Sequence, residues 1–209
     1  MKFDKVLALS PHTDDIEFGC GGLIHKMLEN GSEIHVANFS FCEESVPDGF
    51  PKMILKNEMH ESLQVIGIDN DNIHEYSFPV RHFPQYRQEI LEIMVKLNRD
   101  LNPDLVFTPS SFDVHQDHNT IYHECLRAYR YKSIFGYELP WNNITFSTTG
   151  LFELSEENLD IKIAAVKCYK SQQFRHYLKE NFIRNLASVR GAQNKTQFAE
   201  AFEVIRLTQ

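Results

Sequence analysis

Two short stretches of this chain carry side chains that can hold a metal ion. In the first, His12-Thr13-Asp14-Asp15, an imidazole and two adjacent carboxylates follow an apolar run, Val6-Leu7-Ala8-Leu9, that reads as a buried strand. In the second, His115-Gln116-Asp117-His118 follows another such run, Leu105-Val106-Phe107-Thr108. Ligands of open α/β sheets bind outside the carboxyl ends of strands. Two strand ends that each carry His and Asp are therefore placed to build one site across neighbouring strands. Zinc accepts the donors of His12 and Asp15, with His118 as a third, and a catalytic zinc needs three protein ligands plus an open position for water. Ferrous iron accepts the same donor types.

Asp14 adjoins a ligand in sequence without being needed as one. It can act as general base on metal-bound water, whose pKa a catalytic zinc lowers to about 7. His115 and His118 lie three apart, on one face of a helical turn. His115 can then stay off the metal as a protonated partner, stabilising an oxyanion and donating to a leaving amine. Asp117 or Asp113 could orient a ligand ring from behind. Plainer readings exist for each. Asp14 with Glu17 fits a capping box, which accounts for neither His12 nor the second aspartate, and Asp117 fits a helix N-cap. His74, His82 and His123 read as ordinary surface or core residues. Phe18-Gly19-Cys20-Gly21-Gly22 lacks dinucleotide-loop spacing, and its glycines suit close packing of a helix on a sheet.

The elements needed to position these residues alternate. Val6–Leu9, Glu33–Phe39, Ile73–Tyr76 and Leu105–Thr108 read as strands. Helices are expected over about 17–30, 52–66 and 85–100, and from the His115 cluster to about Tyr131. Gly31 and Gly67 serve as stops. Phe41–Pro51 reads as a loop after the second strand and a candidate substrate loop. Beyond Ser133, residues 134–138, 145–147, 151–153 and 199–205 read as strands, and 159–169 and 180–189 as helices. The alternation predicts a Rossmann-like α/β fold, a mostly parallel sheet flanked by helices, in a single domain over residues 1–209.

Composition narrows the functions. The 209 residues include 16 Phe and 8 Tyr, enough for a sizeable core, and carry a net charge of −8 without a dense basic patch, which argues against a nucleic-acid partner. No apolar segment approaches the ~18–20 residues of a membrane span. The N-terminus runs into a strand, not a signal-peptide core, so a cytoplasmic location is expected. Cys20, Cys42, Cys125 and Cys168 are far apart and read as free thiols.

The stretch from Pro11 to Gly22, with His115-Gln116-Asp117-His118 downstream, resembles the zinc-dependent de-N-acetylases of the PIG-L/LmbE-like family, whose motifs are Pro-His-Pro-Asp-Asp-Glu-x-x-Gly-x-Gly-Gly and His-Pro-Asp-His. The likeness continues through Pro103–Phe107, Tyr169-Lys170-Ser171-Gln172 and Ala199–Phe202. It implies a Rossmann-like fold, zinc on His12, Asp15 and His118, Asp14 as general base, and His115 assisting the tetrahedral intermediate. Thr13, Ile16 and Gln116 depart from the motifs at positions that are neither ligand nor base, and Lys56 stands where arginine is common. Homo-oligomers are common in such a family. The implied partner is a small N-acetylated amino sugar, free, conjugated or nucleotide-linked. Arg81, in the loop Val80–Pro84, is a candidate for holding a phosphate or carboxylate bidentately, or else a surface arginine. Two alternatives stay open: a phosphoesterase or other hydrolase with two metals, or a sugar- or nucleotide-binding protein whose structural metal takes four ligands, Cys20 being the available fourth.

Overall fold

The apolar runs line up side by side in the computed structural model, which describes residues 2–208. Strands β1 (Lys5–Ser10), β2 (Glu33–Asn38), β3 (Ile73–Glu75), β4 (Leu105–Pro109) and β5 (Ser133–Tyr137) are parallel. β6 (Gly150–Leu154) and β7 (Phe198–Arg206) complete a seven-stranded sheet of order β3-β2-β1-β4-β5-β7-β6, with β7 antiparallel to both its neighbours. Six helices flank it among the described residues: α1 (Asp15–Glu29), α2 (Ile54–Ile66), α3 (Arg87–Leu101), α4 (Gln116–Ala128), α5 (Glu156–Lys167) and α6 (Glu180–Asn194). This is the expected single α/β domain with a mostly parallel sheet. Among the described residues no helix is long and apolar enough to cross a membrane.

The central strands are apolar throughout because both faces are covered. Successive side chains of a strand point to opposite faces. Val6 and Ala8 of β1 pack with Ile16, Cys20 and Ile24 of α1 and with residues of α2 and α5. Leu7 and Leu9 pack on the other face with Ile90 and Met94 of α3 and Ile121 and Cys125 of α4. β1 lies between β2 and β4, so the turns leaving β1 and β4 sit side by side at the carboxyl edge of the sheet.

Boundaries moved where local chemistry competed with periodicity. α1 starts at Asp15, two residues before the expected Glu17, and α4 stops at Ala128, short of Tyr131. α2 closes as expected at Gly67, whose φ of 102° lets its N–H reach back to Leu63 and Gln64. The expected strand at Thr145-Phe146-Ser147 does not form. That segment belongs to the connection that carries the chain from β5, past the position later filled by β7, to β6.

The glycines of α1 bring the helix close to the sheet, as their pattern suggests. A Cβ on Gly19 would lie 2.5 Å from Cδ2 and 2.7 Å from Cγ of Tyr137. Tyr137 cannot swing aside freely, since it is buried and its hydroxyl donates to the Leu9 carbonyl at 3.0 Å. Overpacking of this kind typically costs about 1–3 kcal/mol. Gly19→Ala is therefore expected to lower the urea unfolding midpoint by that amount of stability. An unchanged midpoint would show that the helix can lift off β5 at no cost.

Candidate metal centre and cleft

The turn from Ser10 to Asp15 and the turn from Pro109 to Gln116 face each other because β1 and β4 are paired through Val6–Leu105 and its neighbours. Residues more than a hundred positions apart thus come into contact. His12 Nδ1 and His118 Nε2 lie 2.9 Å apart. Asp15 Oδ2 lies 3.2 Å from that His118 nitrogen and 3.5 Å from that His12 nitrogen, and it is held in place by the His12 backbone N–H at 2.8 Å.

The outer nitrogens explain what the inner ones are. His12 Nε2 sits 3.0 Å from Asp117 Oδ2, and His118 Nδ1 sits 2.7 Å from Asp113 Oδ2. A ring nitrogen against a carboxylate carries the proton, so in each neutral ring the inner nitrogen presents a lone pair. Two lone pairs and a carboxylate oxygen converge on one point, and only a cation can reconcile them. Without a metal a proton does so. Burial disfavours a charged His118, but the charge of Asp15 and hydrogen bonds to Asp113 and Asp15 outweigh it and lift its pKa to about 10. His12 is likewise raised: burial opposes charge, and hydrogen bonds to Asp117 and Asp15 prevail. Burial also works against an ionised Asp15, yet the two histidines hold it well below the ordinary carboxylate range. Bonds of about 2.0–2.2 Å put tetrahedral ligands roughly 3.3–3.5 Å apart; the Asp15 contacts at 3.2 and 3.5 Å are close to that spacing, and the two rings, at 2.9 Å, would part slightly to admit an ion.

His115 completes a group of three histidines whose ring nitrogens lie within 4.8 Å of one another. It stands at the N-terminus of α4, where its Nδ1 accepts the Asp117 N–H at 3.2 Å. His115, not Asp117, is therefore the cap. Burial, then the neighbouring His118 and His12, push its pKa down to about 4. It is a neutral ring that still offers Nε2–H, where the motif spacing suggested a protonated one.

Asp14 precedes α1 but makes no capping hydrogen bond, so the capping box does not form. It lines the cleft, and burial, then the charge of Asp15, push its carboxyl up to about 6, with Arg175 pulling the other way. Glu17 turns into the core instead, where burial raises its pKa to about 8 and Oε1 lies 2.6 Å from the Tyr169 hydroxyl oxygen. The same hydroxyl donates to the Thr13 carbonyl, tying the metal-binding turn to the chain beyond α5. Cys20 is enclosed in the core and joins no metal-capable group among the described residues.

The cleft above these groups has a volume of about 180 Å³. The expected substrate loop after β2 contributes Cys42 and Ser45 to it. Arg81 does not line it. Its backbone, at φ 70°, aims the N–H at Asp117, while its guanidinium is exposed and 3.8 Å from Glu44. Trp141, Asn142, Arg175 and Tyr177 do line it. These four come from the β5–β6 connection and from the chain after α5, and their only prior signal was the nearby Tyr169–Gln172 likeness.

The histidines and aspartates at the carboxyl ends of β1 and β4 all lie within a region of the chain that matches a known family. A model of the family "PIG-L: GlcNAc-PI de-N-acetylase" matches residues 7–129, and the chain belongs to that family. It is 30% identical over 171 residues, 79% of this chain and 90% of the relative, to the "Uncharacterized deacetylase YaiS" of Escherichia coli (strain K12). Its fold is similar to that of N,N'-diacetylchitobiose deacetylase from Pyrococcus horikoshii in complex with the inhibitor MPG, with a TM-score of 0.81 and 20% identity over 97% of this chain and 84% of the other. It is equally similar to GalB, the 4-carboxy-2-hydroxymuconate hydratase of Pseudomonas putida KT2440, with a TM-score of 0.80 and 19% identity over 100% and 99% of the two chains.

The histidine group makes a direct prediction. Purified protein is expected to retain one divalent metal ion per chain by elemental analysis, and His12→Ala or His118→Ala to lose it. Stoichiometric metal in both variants would exclude these rings as ligands.

Proposed function

We propose that this protein is a metal-dependent hydrolase that removes the acetyl group from an N-acetylated amino sugar, free or conjugated, yielding acetate and a free amine. The observation that carries this reading is the pair of inner nitrogens, 2.9 Å apart with Asp15 beside them, flanked by the uncapped carboxyl of Asp14 in an open cleft. Membership of a de-N-acetylase family and likeness to a protein named a deacetylase support the reaction type.

In this reading His12, Asp15 and His118 hold the metal, and His115 stays off it. Asp15 places one oxygen within 3.5 Å of both inner nitrogens, whereas His115 spends Nδ1 on the start of α4. The donor set suits zinc, and ferrous iron as well. Such an ion supplies Lewis acidity toward the amide carbonyl and makes water a nucleophile near neutral pH. Asp14 takes the proton of the attacking water; a carboxyl raised to about 6 is ionised at pH 7 yet basic enough to do so. His115 donates its Nε2–H to the carbonyl oxygen as negative charge develops there. The proton on Asp14 passes to the sugar nitrogen as the C–N bond breaks, so the amine leaves neutral. Asp117 and Asp113 keep the two ligand rings turned inward throughout.

The test is acetate release from free, phosphorylated, nucleotide-linked and oligomeric N-acetylglucosamine and from thiol-precursor glycosides, before and after chelation. Release that stops with chelator and returns with zinc is expected; no release from any of them by metal-loaded protein would sink the reading. Asp14→Asn should cut turnover by about 10²–10⁴-fold, the usual worth of a general base, with metal still bound. The ligand assignment separates cleanly as well. Asp15→Ala should lose the metal while His115→Ala keeps it and loses turnover, and the reverse pattern would exchange the roles of the two residues.

A further inference from the structure

Arg81 and Lys56, singled out in the sequence, are each matched with a carboxylate, and so is Arg190 near the end of α6. Arg190 pairs with Glu138, Lys56 with Glu75 and Arg81 with Glu44. Arg175 is different. It is the sole lysine or arginine among the described residues lining the metal cleft, and none of the ion pairs among the described residues includes it, in a chain with 29 acidic residues to 21 basic ones. Both of its hydrogen bonds go to neutral partners: Nε donates to Gln172 Oε1 at 2.7 Å and Nη1 to the Tyr177 hydroxyl at 2.7 Å. Nη2 has no protein partner among the described residues.

Those neutral partners are themselves fixed. Gln172 is buried, and its amide donates to Ser171 Oγ at 3.2 Å. Ser171 is clamped in turn by the buried carboxylate of Glu58 on α2, which accepts its N–H at 2.9 Å and its hydroxyl at 2.6 Å. On the other side Tyr177 stacks on Trp141, with ring centroids 3.6 Å apart and planes 16° from parallel. Trp141 meets Phe18 of α1 edge-on at 4.5 Å. A guanidinium held from two sides by neutral partners, with one nitrogen unengaged and no carboxylate in an ion pair with it among the described residues, is preorganised to take a ligand at little further entropic cost. Its planar fork matches phosphate and carboxylate oxygens.

We propose that Arg175 is a specificity-determining residue of the cleft and that it binds an oxyanion, phosphate or carboxylate, carried by the substrate. The Tyr177–Trp141 stack walls the same cleft and offers a flat apolar surface for a sugar face. The proposal rests on the deacetylase reading for the identity of the sugar, but its binding test does not depend on turnover. An arginine that served only to keep Asp14 ionised would act on every substrate alike, and that difference decides the matter.

The experiment measures calorimetric binding to the metal-loaded Asp14→Asn protein of N-acetylglucosamine, its 1-phosphate, its 6-phosphate and the corresponding uronic acid. The same series is repeated with Arg175→Met and Arg175→Lys added, and ratios of kcat/KM are taken in the Asp14 enzyme. At least one anionic sugar should bind about ten- to a hundredfold more tightly than the neutral one, the usual range for a charge-assisted hydrogen bond. That preference should collapse with Arg175→Met and return in part with Arg175→Lys. Preference for a phosphate or for the uronate tells which oxyanion is meant. Equal or tighter binding of the neutral sugar by the Arg175 protein overturns the proposal, even if the Met variant fails to fold. So does a preference that survives Arg175→Met. Anion-selective binding without acetate release would uphold the Arg175 site and overturn the deacetylase reading. Acetate release with equal kcat/KM for neutral and anionic sugars would do the opposite.

Discussion

Two imidazole nitrogens are held facing each other 2.9 Å apart in the interior of this protein, a pair that only a shared cation, proton or metal ion, can reconcile, and much of the surrounding structure exists to keep them there. Alone, such a pair would rotate apart. Each ring is prevented from turning by a buried carboxylate behind it, and a buried carboxylate is itself costly unless its oxygens are satisfied. Asp117 meets that requirement by accepting the backbone N–H groups of Arg81 and Phe83, and Asp113 by accepting the N–H of His115. The loop after β3 is thus a structural part of the metal centre. The left-handed backbone at Arg81 follows from aiming its N–H at Asp117, and its side chain is free to point elsewhere.

The sheet supplies the remaining constraint. β1 and β4 are neighbours although the chain between them builds two strands and three helices, so the two motif turns meet only if the parallel crossovers pack correctly. α1 must also lie close enough to the sheet for Asp14 and Asp15 to reach the site, which is where Gly19 against Tyr137 matters. Tyr169 adds a tie from the far side, its hydroxyl spanning the Thr13 carbonyl and Glu17. A single phenol thus links the metal-binding turn to the segment that carries the cleft wall.

The metal end of the cleft was readable from residue types alone, because a metal needs particular donors and strand ends are where they gather. The parallel half of the sheet was readable for a related reason: strands buried on both faces are written as unbroken apolar runs. Other features were decided by tertiary context. Glu17 has the spacing of a capping box, but the core offers it Tyr169 and a capping role is never taken up. Thr145-Phe146-Ser147 alternates like a strand, yet the edge beside β5 is occupied by β7, whose sequence comes fifty residues later. Arg175, Trp141 and Tyr177 could not be found by periodicity, since their meeting depends on how two loops fold over the sheet and neither loop has a repeating pattern.

That division has a meaning for function. The family match ends at residue 129 and includes every proposed ligand, the base and both carboxylates behind the rings. It stops before Trp141, Arg175 and Tyr177, which line the same cleft. The machinery that would activate water is therefore carried by one part of the chain, and the surface that would select the molecule to be hydrolysed by another. Nearly the same fold serves a protein named a hydratase and one named a deacetylase, so the fold leaves the reaction open and the donor set at the strand ends must specify it. By the same reasoning, the donor set leaves the substrate open. The wall must specify that, and in this chain the wall presents a flat aromatic stack and an arginine that joins no ion pair among the described residues.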